Sequence, residues 1–269
     1  MTLSRRQVAE LLATHGLAPR RAFGQNFVAD PNTVRRIARL AGVGPGDRVV
    51  EIGAGLGSLT LALAETGASV TAVEIDRGLV PVLRGIVEPL GVTVVEGDAM
   101  TLDWQTLLGG RPCHLVANLP YNVATPLIIT LLESAPPIER MLVMVQAEAG
   151  ERLAAGPGDA LYGAVSVMVA YWATAQIVGR VPPTVFVPRP KVDSVLVSIT
   201  RRTAPAVDGD YERLREVVRA GFGKRRKMLR GSLAGVVEAD VFAAVGVRPD
   251  ARAEELGIAD WGRLASWTP

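Results

Sequence analysis

Cysteine is nearly missing from this chain: Cys113 stands alone among 269 residues, so no disulfide can form within it. Histidine is almost as scarce. With only His15 and His114 beside that one thiol, a zinc site of the ordinary Cys/His kind is excluded and no metal is expected. No Cys/His arrangement suggests a nucleophile, so Cys113 reads as a space-filling residue at the start of a strand. No Gly-Lys-Ser/Thr sequence occurs, and a nucleoside triphosphate would lack its usual cradle. The apolar run behind Arg5 and Arg6 is broken by Glu10 and His15 and does not read as a signal peptide. One uncharged stretch, 160 to 179, is as long as a membrane span. Gly163, Ser166, Thr174, Gln176, Tyr171 and Trp172 within it favour a buried helix running into a buried strand instead. The expectation is a cytoplasmic protein with no membrane partner and no internal repeat.

What is present is the composition of a soluble chain with a real core, 49% hydrophobic and 21% charged. After a helix over about 4 to 13 comes an Arg/Gly-rich loop, then Asp30-Pro31 as N-cap and first residue of a second helix. From residue 47 strands and helices alternate. Strands are predicted at 48–52, 70–75, 92–95, up to Asn118, and 141–145, with two more at 174–181 and 194–200. Such alternation implies an α/β fold whose parallel sheet is covered on both faces. Beyond Thr203-Ala-Pro205 only helical stretches follow. The predicted division is a catalytic domain over 1–204 and a small helical domain over 205–269.

The turn after the first of these sheet strands reads Glu51-Ile-Gly53-Ala-Gly55-Leu-Gly57. Its glycines allow a tight turn and close approach of a ligand, but the spacing is G-x-G-x-G and not the G-x-G-x-x-G of dinucleotide sites. Glu74 closes the next strand, 21 residues on from Gly53, where a carboxylate can accept both hydrogen bonds of a ribose diol. Asp98, in Glu96-Gly-Asp98-Ala99 after the third, can accept from an adenine amino group. Any one of these acids alone would more often be a solvated loop residue. Together, at three successive strand ends, they describe adenosine recognition, and S-adenosylmethionine becomes the favoured ligand.

Asn118-Leu119-Pro120-Tyr121 follows a further strand, at the sheet edge where ligands of open α/β folds bind. The Asn118 amide oxygen accepts hydrogen bonds, and proline at 120 removes a backbone donor and can leave the Leu119 carbonyl pointing into the cleft. Tyr121 offers an aromatic face to a planar base. The tetrapeptide can equally be an ordinary turn after a strand, since Asn and Pro are common turn residues. Charge is uneven as well: from 201 to 235 ten basic residues stand against four acidic ones, although the whole chain is only +2. A phosphate backbone selects such an excess; a solvated helix face is the alternative.

Taken in order, these segments resemble the ribosomal RNA adenine N6,N6-dimethyltransferases, which modify small-subunit rRNA. The match runs through Phe23-Gly-Gln-Asn-Phe27, the glycine turn, Val73-Glu-Ile-Asp76, Gly97-Asp-Ala99, Asn118-Leu-Pro-Tyr-Asn122, Tyr162-Gly163, the proline-rich 181–194 and Lys224-Arg-Arg-Lys-Met-Leu-Arg230. The resemblance implies a Rossmann-like class I methyltransferase sheet with a small α-helical C-terminal domain, using S-adenosylmethionine and releasing S-adenosylhomocysteine. Gln25 and Asn26 would close over the methionine end of the cofactor, with Val28, Glu51, Gly53, Gly55, Glu74, Ile75, Asp98, Ala99 and Asn118 completing its site. Asn118 and Leu119, rigidified by Pro120, would hold the target amine, with Tyr121 on one face of the base and Phe186 on the other. Arg20, Arg21, Lys224, Arg225, Arg226, Lys227 and Arg230 would grip RNA, the last five as a dense basic helix. The implied partner is small-subunit rRNA, within the small ribosomal subunit or its precursor, met by a monomer that modifies two adjacent adenines of a 3′-terminal hairpin and assists subunit biogenesis. Two alternatives remain: a large-subunit rRNA adenine dimethyltransferase of the macrolide-resistance type, and a non-catalytic assembly or transcription factor on the same fold. Ala54 departs from the family's usual proline without removing a functional group.

Overall fold

In the computed structural model, residues 2–20, 23–224 and 226–267 are described; the predicted RNA contacts Arg21 and Arg225 lie outside them. Two compact units emerge, Met1–Gly150 with Gln176–Thr200, and Glu151–Ala175 with Arg201–Pro269.

The first unit opens with helix α1 (Arg5–Thr14), the two-residue strand β1 (Phe27–Val28) and helix α2 (Pro31–Ala41). Asp30 caps α2 through the Thr33 N–H, proline occupies its first turn and Gly42 ends it in the left-handed region, as the sequence predicts. Alternation then begins: β2 (Arg48–Ile52), α3 (Ser58–Ala64), β3 (Ser69–Glu74), α4 (Val80–Val87), β4 (Thr93–Glu96), α5 (Trp104–Leu108), β5 (Cys113–Asn118), α6 (Ala124–Ser134), β6 (Ile138–Gln146) and α7 (Ala147–Ala154). After α8 (Ala164–Trp172) come β7 (Ala173–Val181), β8 (Phe186–Val187) and β9 (Ser194–Arg201). The large sheet has the order β4-β3-β2-β5-β6-β9-β7; its β4–β6 pairs are parallel, and β9 joins β6 antiparallel. From β2 the chain builds outward to β4, then crosses back to place β5 on the other flank of β2. The carboxyl ends of β2 and β5 therefore bound the crevice where ligands of such sheets bind.

Three features differ from the sequence reading. Helix α5, for which the sequence reading names no segment, is set by Asp103 capping Thr106 and by Gly109 in the left-handed conformation. Strand β7 is an edge strand buried chiefly at its ends, Ala173 and Val181, so only the helical half of 160–179 is a core segment. Among the described residues no helix is long and apolar enough to cross a membrane. Finally, β1 and β8 form a small antiparallel ladder, Phe27 opposite Val187 and Val28 opposite Phe186.

The second unit is helical: α8, then α9 (Tyr211–Gly223), α10 (Leu229–Ser232), α11 (Ala239–Ala244) and α12 (Ile258–Ser266). Its start is earlier than residue 205, because α8 packs on α9 through Tyr171 and Trp172 against Tyr211, with ring centroids 4.9 and 5.1 Å away. A Cβ on Gly221 would lie 2.5 Å from the wholly buried Trp261, so α12 closes on α9 only where no side chain intervenes.

Candidate active site

Glu74, at the end of β3, is buried and divides its carboxylate between two backbone donors. The Gly55 N–H reaches Oε2 at 2.7 Å and the Asp76 N–H reaches Oε1 at 2.9 Å. The glycine turn is thereby shaped by the acid expected to bind ribose. Gly55 has φ +60°, and a Cβ there would meet the Phe27 ring at 3.0 Å, so glycine is required both for the turn and for the approach of β1. Around this turn Gly24, Gln25, Asn26, Val28, Glu51, Gly53, Ile75, Asn118 and Leu119 line one lobe of a cleft. A second lobe is lined by Ile75, Asp98, Ala99, Met100 and Val123.

The adenosine expectation fits these lobes. Ile75 leaves 40% of its surface exposed although apolar, and it faces both, as a residue awaiting a planar ring would. One oxygen of Asp98 accepts from the Met100 N–H at 2.9 Å, which aims the carboxylate and leaves the other oxygen for an amino group. Ala99 helps wall the lobe and receives the Trp104 indole N–H on its carbonyl at 3.1 Å. Ser58, at the start of α3 and on the cleft wall, has a buried hydroxyl with no hydrogen-bond partner among the described residues. Glycines that admit a backbone, a carboxylate pair for a nucleoside and this unsatisfied hydroxyl are together suited to an adenosine ligand with a polar tail.

Glu51, only 2% exposed, accepts a 2.5 Å hydrogen bond from the Thr60 hydroxyl. Burial, helped by the nearby Glu74 carboxylate, pushes its pKa from 4.5 up to about 8. The folded chain then holds a proton that the unfolded chain releases near pH 4.5, so stability falls as pH rises from about 4.5 and the full cost is reached above about 8. Thermal melting of the ligand-free protein between pH 5 and 8.5 is expected to show this fall, of the order of a few kcal/mol. Glu51→Gln should flatten much of the slope and leave the part due to Glu74, whose pKa burial also raises. A slope identical in the variant would place the titration elsewhere.

Asn118 ends β5. Its Nδ2 donates to the Asn26 carbonyl at 2.9 Å, and since a carbonyl can only accept, the amide orientation is fixed with Oδ1 left as an acceptor in the cleft. The Leu119 side chain is buried and its N–H bonds to the Met144 carbonyl at 3.1 Å. Its own carbonyl has no hydrogen-bond donor among the described residues. The Pro120 carbonyl accepts from Val123 and Ala124 and so starts α6. The tetrapeptide is thus a turn and, in the same conformation, a presenter of two acceptors. Tyr121 is partly buried and anchored by its hydroxyl, 2.8 Å from that of Ser194 at the head of β9. Burial lifts its phenol above the ordinary pKa.

Phe186 requires a correction. Expected on the far face of a bound base, it is 0% exposed and belongs to the core, because pairing of β8 with β1 turns the ring inward. Among the basic residues, Lys224, Arg226, Lys227 and Arg230 are exposed; instead of forming one basic helix, Lys224, Arg226 and Lys227 lie between α9 and α10, and Arg230 is in α10. Arg20 donates to Asp76 at 3.1 Å, which commits it to the cleft loop. Asp76 carries no role in the sequence pattern, and no local signal marks it as a partner of Gln25.

A family model described as ribosomal RNA adenine dimethylase matches residues 16–268. The chain is 47% identical over 277 residues to the ribosomal RNA small subunit methyltransferase A of Kineococcus radiotolerans, spanning 99% of this chain and 92% of that one. It is 49% identical over 265 residues to the protein of the same name from Cutibacterium acnes, spanning 93% and 88%. Among solved structures, that of the 23S rRNA methyltransferase ErmE matches with a TM-score of 0.71 at 28% identity, covering 89% of this chain and 98% of that one.

Proposed function

Because the chain belongs to the ribosomal RNA adenine dimethylase family, we propose that it transfers two methyl groups to N6 of adenines in small-subunit rRNA, with S-adenosylmethionine as donor. The observation that supports this reading is that Asn118 and Leu119, at the end of β5, line the cleft, with Asn118 Oδ1 and the Leu119 carbonyl accepting no hydrogen bond among the described residues. An adenine amine has two N–H bonds and a lone pair drawn into the ring. Accepting both N–H bonds favours a pyramidal nitrogen whose lone pair can attack, a positioning effect worth several kcal/mol. When bound, S-adenosylmethionine supplies a methyl group already activated on a positively charged sulfur, so these side chains need align only the nucleophile.

The base must leave its stack to reach the acceptors. Tyr121, held by Ser194, offers a face on which it can stack, offsetting about 1–3 kcal/mol of that cost. With Phe186 in the core, Tyr121 clamps one face only. The first transfer breaks the S–CH3 bond, forms the N–CH3 bond and leaves the nitrogen cationic; once it has released one proton to solvent one N–H remains, and a single acceptor then holds the nitrogen while the methyl group turns away from the incoming one.

The names of the relatives favour the small subunit over the large. The same reading has a monomer acting in the cytoplasm, on two adjacent adenines of a 3′-terminal hairpin, with a part in subunit biogenesis. The exposed Lys224, Arg226, Lys227 and Arg230 would meet RNA phosphates. Neutralising the first three is expected to weaken RNA binding, reduce its salt dependence and leave cofactor affinity unchanged; an unaltered salt slope would remove them from the interface. The function itself is tested by incubating labelled S-adenosylmethionine with unmethylated small subunits, large subunits and naked rRNA. Dimethyladenine in the small subunit is the expected product. Label in the large subunit would favour the macrolide-resistance type, and none at all a binding factor.

A further inference from the structure

Asp76 does not line the cleft, yet it is only 3% exposed and its carboxylate is fully engaged. Oδ2 accepts from Gln25 Nε2 at 2.8 Å; Oδ1 accepts from the Gly78 N–H at 2.9 Å and from Arg20 Nη1 at 3.1 Å. The other end of the Gln25 amide, Oε1, accepts from the Arg20 N–H at 2.7 Å. Both polar ends of Gln25 are therefore used within the protein. The next residue, Asn26, gives its carbonyl to Asn118 Nδ2. An unbroken series thus runs from Asp76, in the loop after β3 and outside the cleft lining, through Gln25 and the Asn26 main chain to Asn118 at the end of β5, the last three lining the cleft.

We propose that Asp76 is a positioning residue that pins the Gln25–Asn26 segment and, through the Asn26 carbonyl, fixes which atom of the Asn118 amide faces the substrate. This rests on reading Asn118 as an acceptor for the target amine. Gln25, expected to close over the methionine end of the cofactor, becomes the link through which Asp76 acts. Holding the segment down shapes the cofactor cleft, and orienting Asn118 shapes the site of transfer, so one bond influences both. A carboxylate that merely capped the β3–α4 loop through Gly78 would influence neither.

Donor–acceptor complementarity allows a sharp test. Asp76→Asn keeps an oxygen for Gly78 but sets an amide NH2 against that of Gln25, while Gln25→Glu opposes two carboxylates. Combining them restores a donor–acceptor pair with its direction reversed, keeps the same net charge, and leaves the new carboxylate at position 25 an oxygen for the Arg20 N–H. Each single variant, checked for folding by its melting curve, is expected to bind S-adenosylhomocysteine about tenfold more weakly by calorimetry. Each should also lower kcat several-fold at saturating cofactor, and the double variant should return both quantities to within about threefold of the parent. Near-parental binding by Asp76→Asn, or losses that simply add in the double variant, would overturn the proposal. The binding measurement needs no RNA, so it stands even if the methylation reading fails.

Discussion

Asn118→Ala is expected to lower kcat for adenine methylation by about 10²–10³-fold, the effect of removing one preorganised hydrogen-bonding group from a polar transition state. The variant loses Oδ1 as an acceptor for the amine and also frees the Asn26 carbonyl, to which Nδ2 donates at 2.9 Å. Cofactor affinity should therefore weaken somewhat, within about tenfold, because Asn118 forms only one part of the cleft wall. A loss confined to KM for RNA would mean that Asn118 contributes to docking and not to transfer. Asn118→Asp separates geometry from chemistry: it keeps an acceptor but turns a carboxylate oxygen toward the Asn26 carbonyl, so it should resemble alanine more than the parent. Single-turnover measurement of mono- and dimethyladenine by mass spectrometry checks both variants.

Glu74→Gln is expected to reduce affinity for S-adenosylmethionine by about 100-fold or more. Both oxygens of Glu74 already accept from backbone N–H groups of Gly55 and Asp76. An amide NH2 in place of either oxygen opposes one donor with another in a buried place, at a cost of about 1–3 kcal/mol. The variant also gives up the acceptor proposed for the ribose, and the two losses fall on one equilibrium. Because Gly55 is held at φ +60° by that same bond, the glycine turn should loosen and the melting temperature should fall as well. Calorimetric titration with the cofactor decides it: affinity within a fewfold of the parent would mean that Glu74 shapes the turn without binding the nucleoside.

The sheet was legible because parallel strands buried on both faces appear as short apolar runs, each with a residue that lines the cleft at or near its carboxyl end: Glu51 and the glycines, Glu74, Asp98, Asn118. Those positions depend on short apolar runs and on turn chemistry, which are local. The contacts that complete the site are not local. Gln25 meets Asp76 across 51 positions and Asn118 meets Asn26 across 92, and nothing in either segment announces its partner. The β1–β8 ladder is two residues long on each side, below what alternation can register. It also decided Phe186, since an aromatic beside prolines reads equally well as an exposed platform or a core residue until its strand is paired. The basic run was visible as charge, but the end of α9 at Gly223 leaves Lys224, Arg226 and Lys227 between α9 and α10, with Arg230 inside α10.

The most direct measurement is an experimental structure of the protein with S-adenosylhomocysteine and an RNA hairpin carrying the target adenines. One adenine should be unstacked on Tyr121, with N6 within about 3.2 Å of both Asn118 Oδ1 and the Leu119 carbonyl. An adenine bound with N6 directed elsewhere, or an Asn118 amide turned so that Oδ1 no longer meets it, would contradict the proposed placement of the amine.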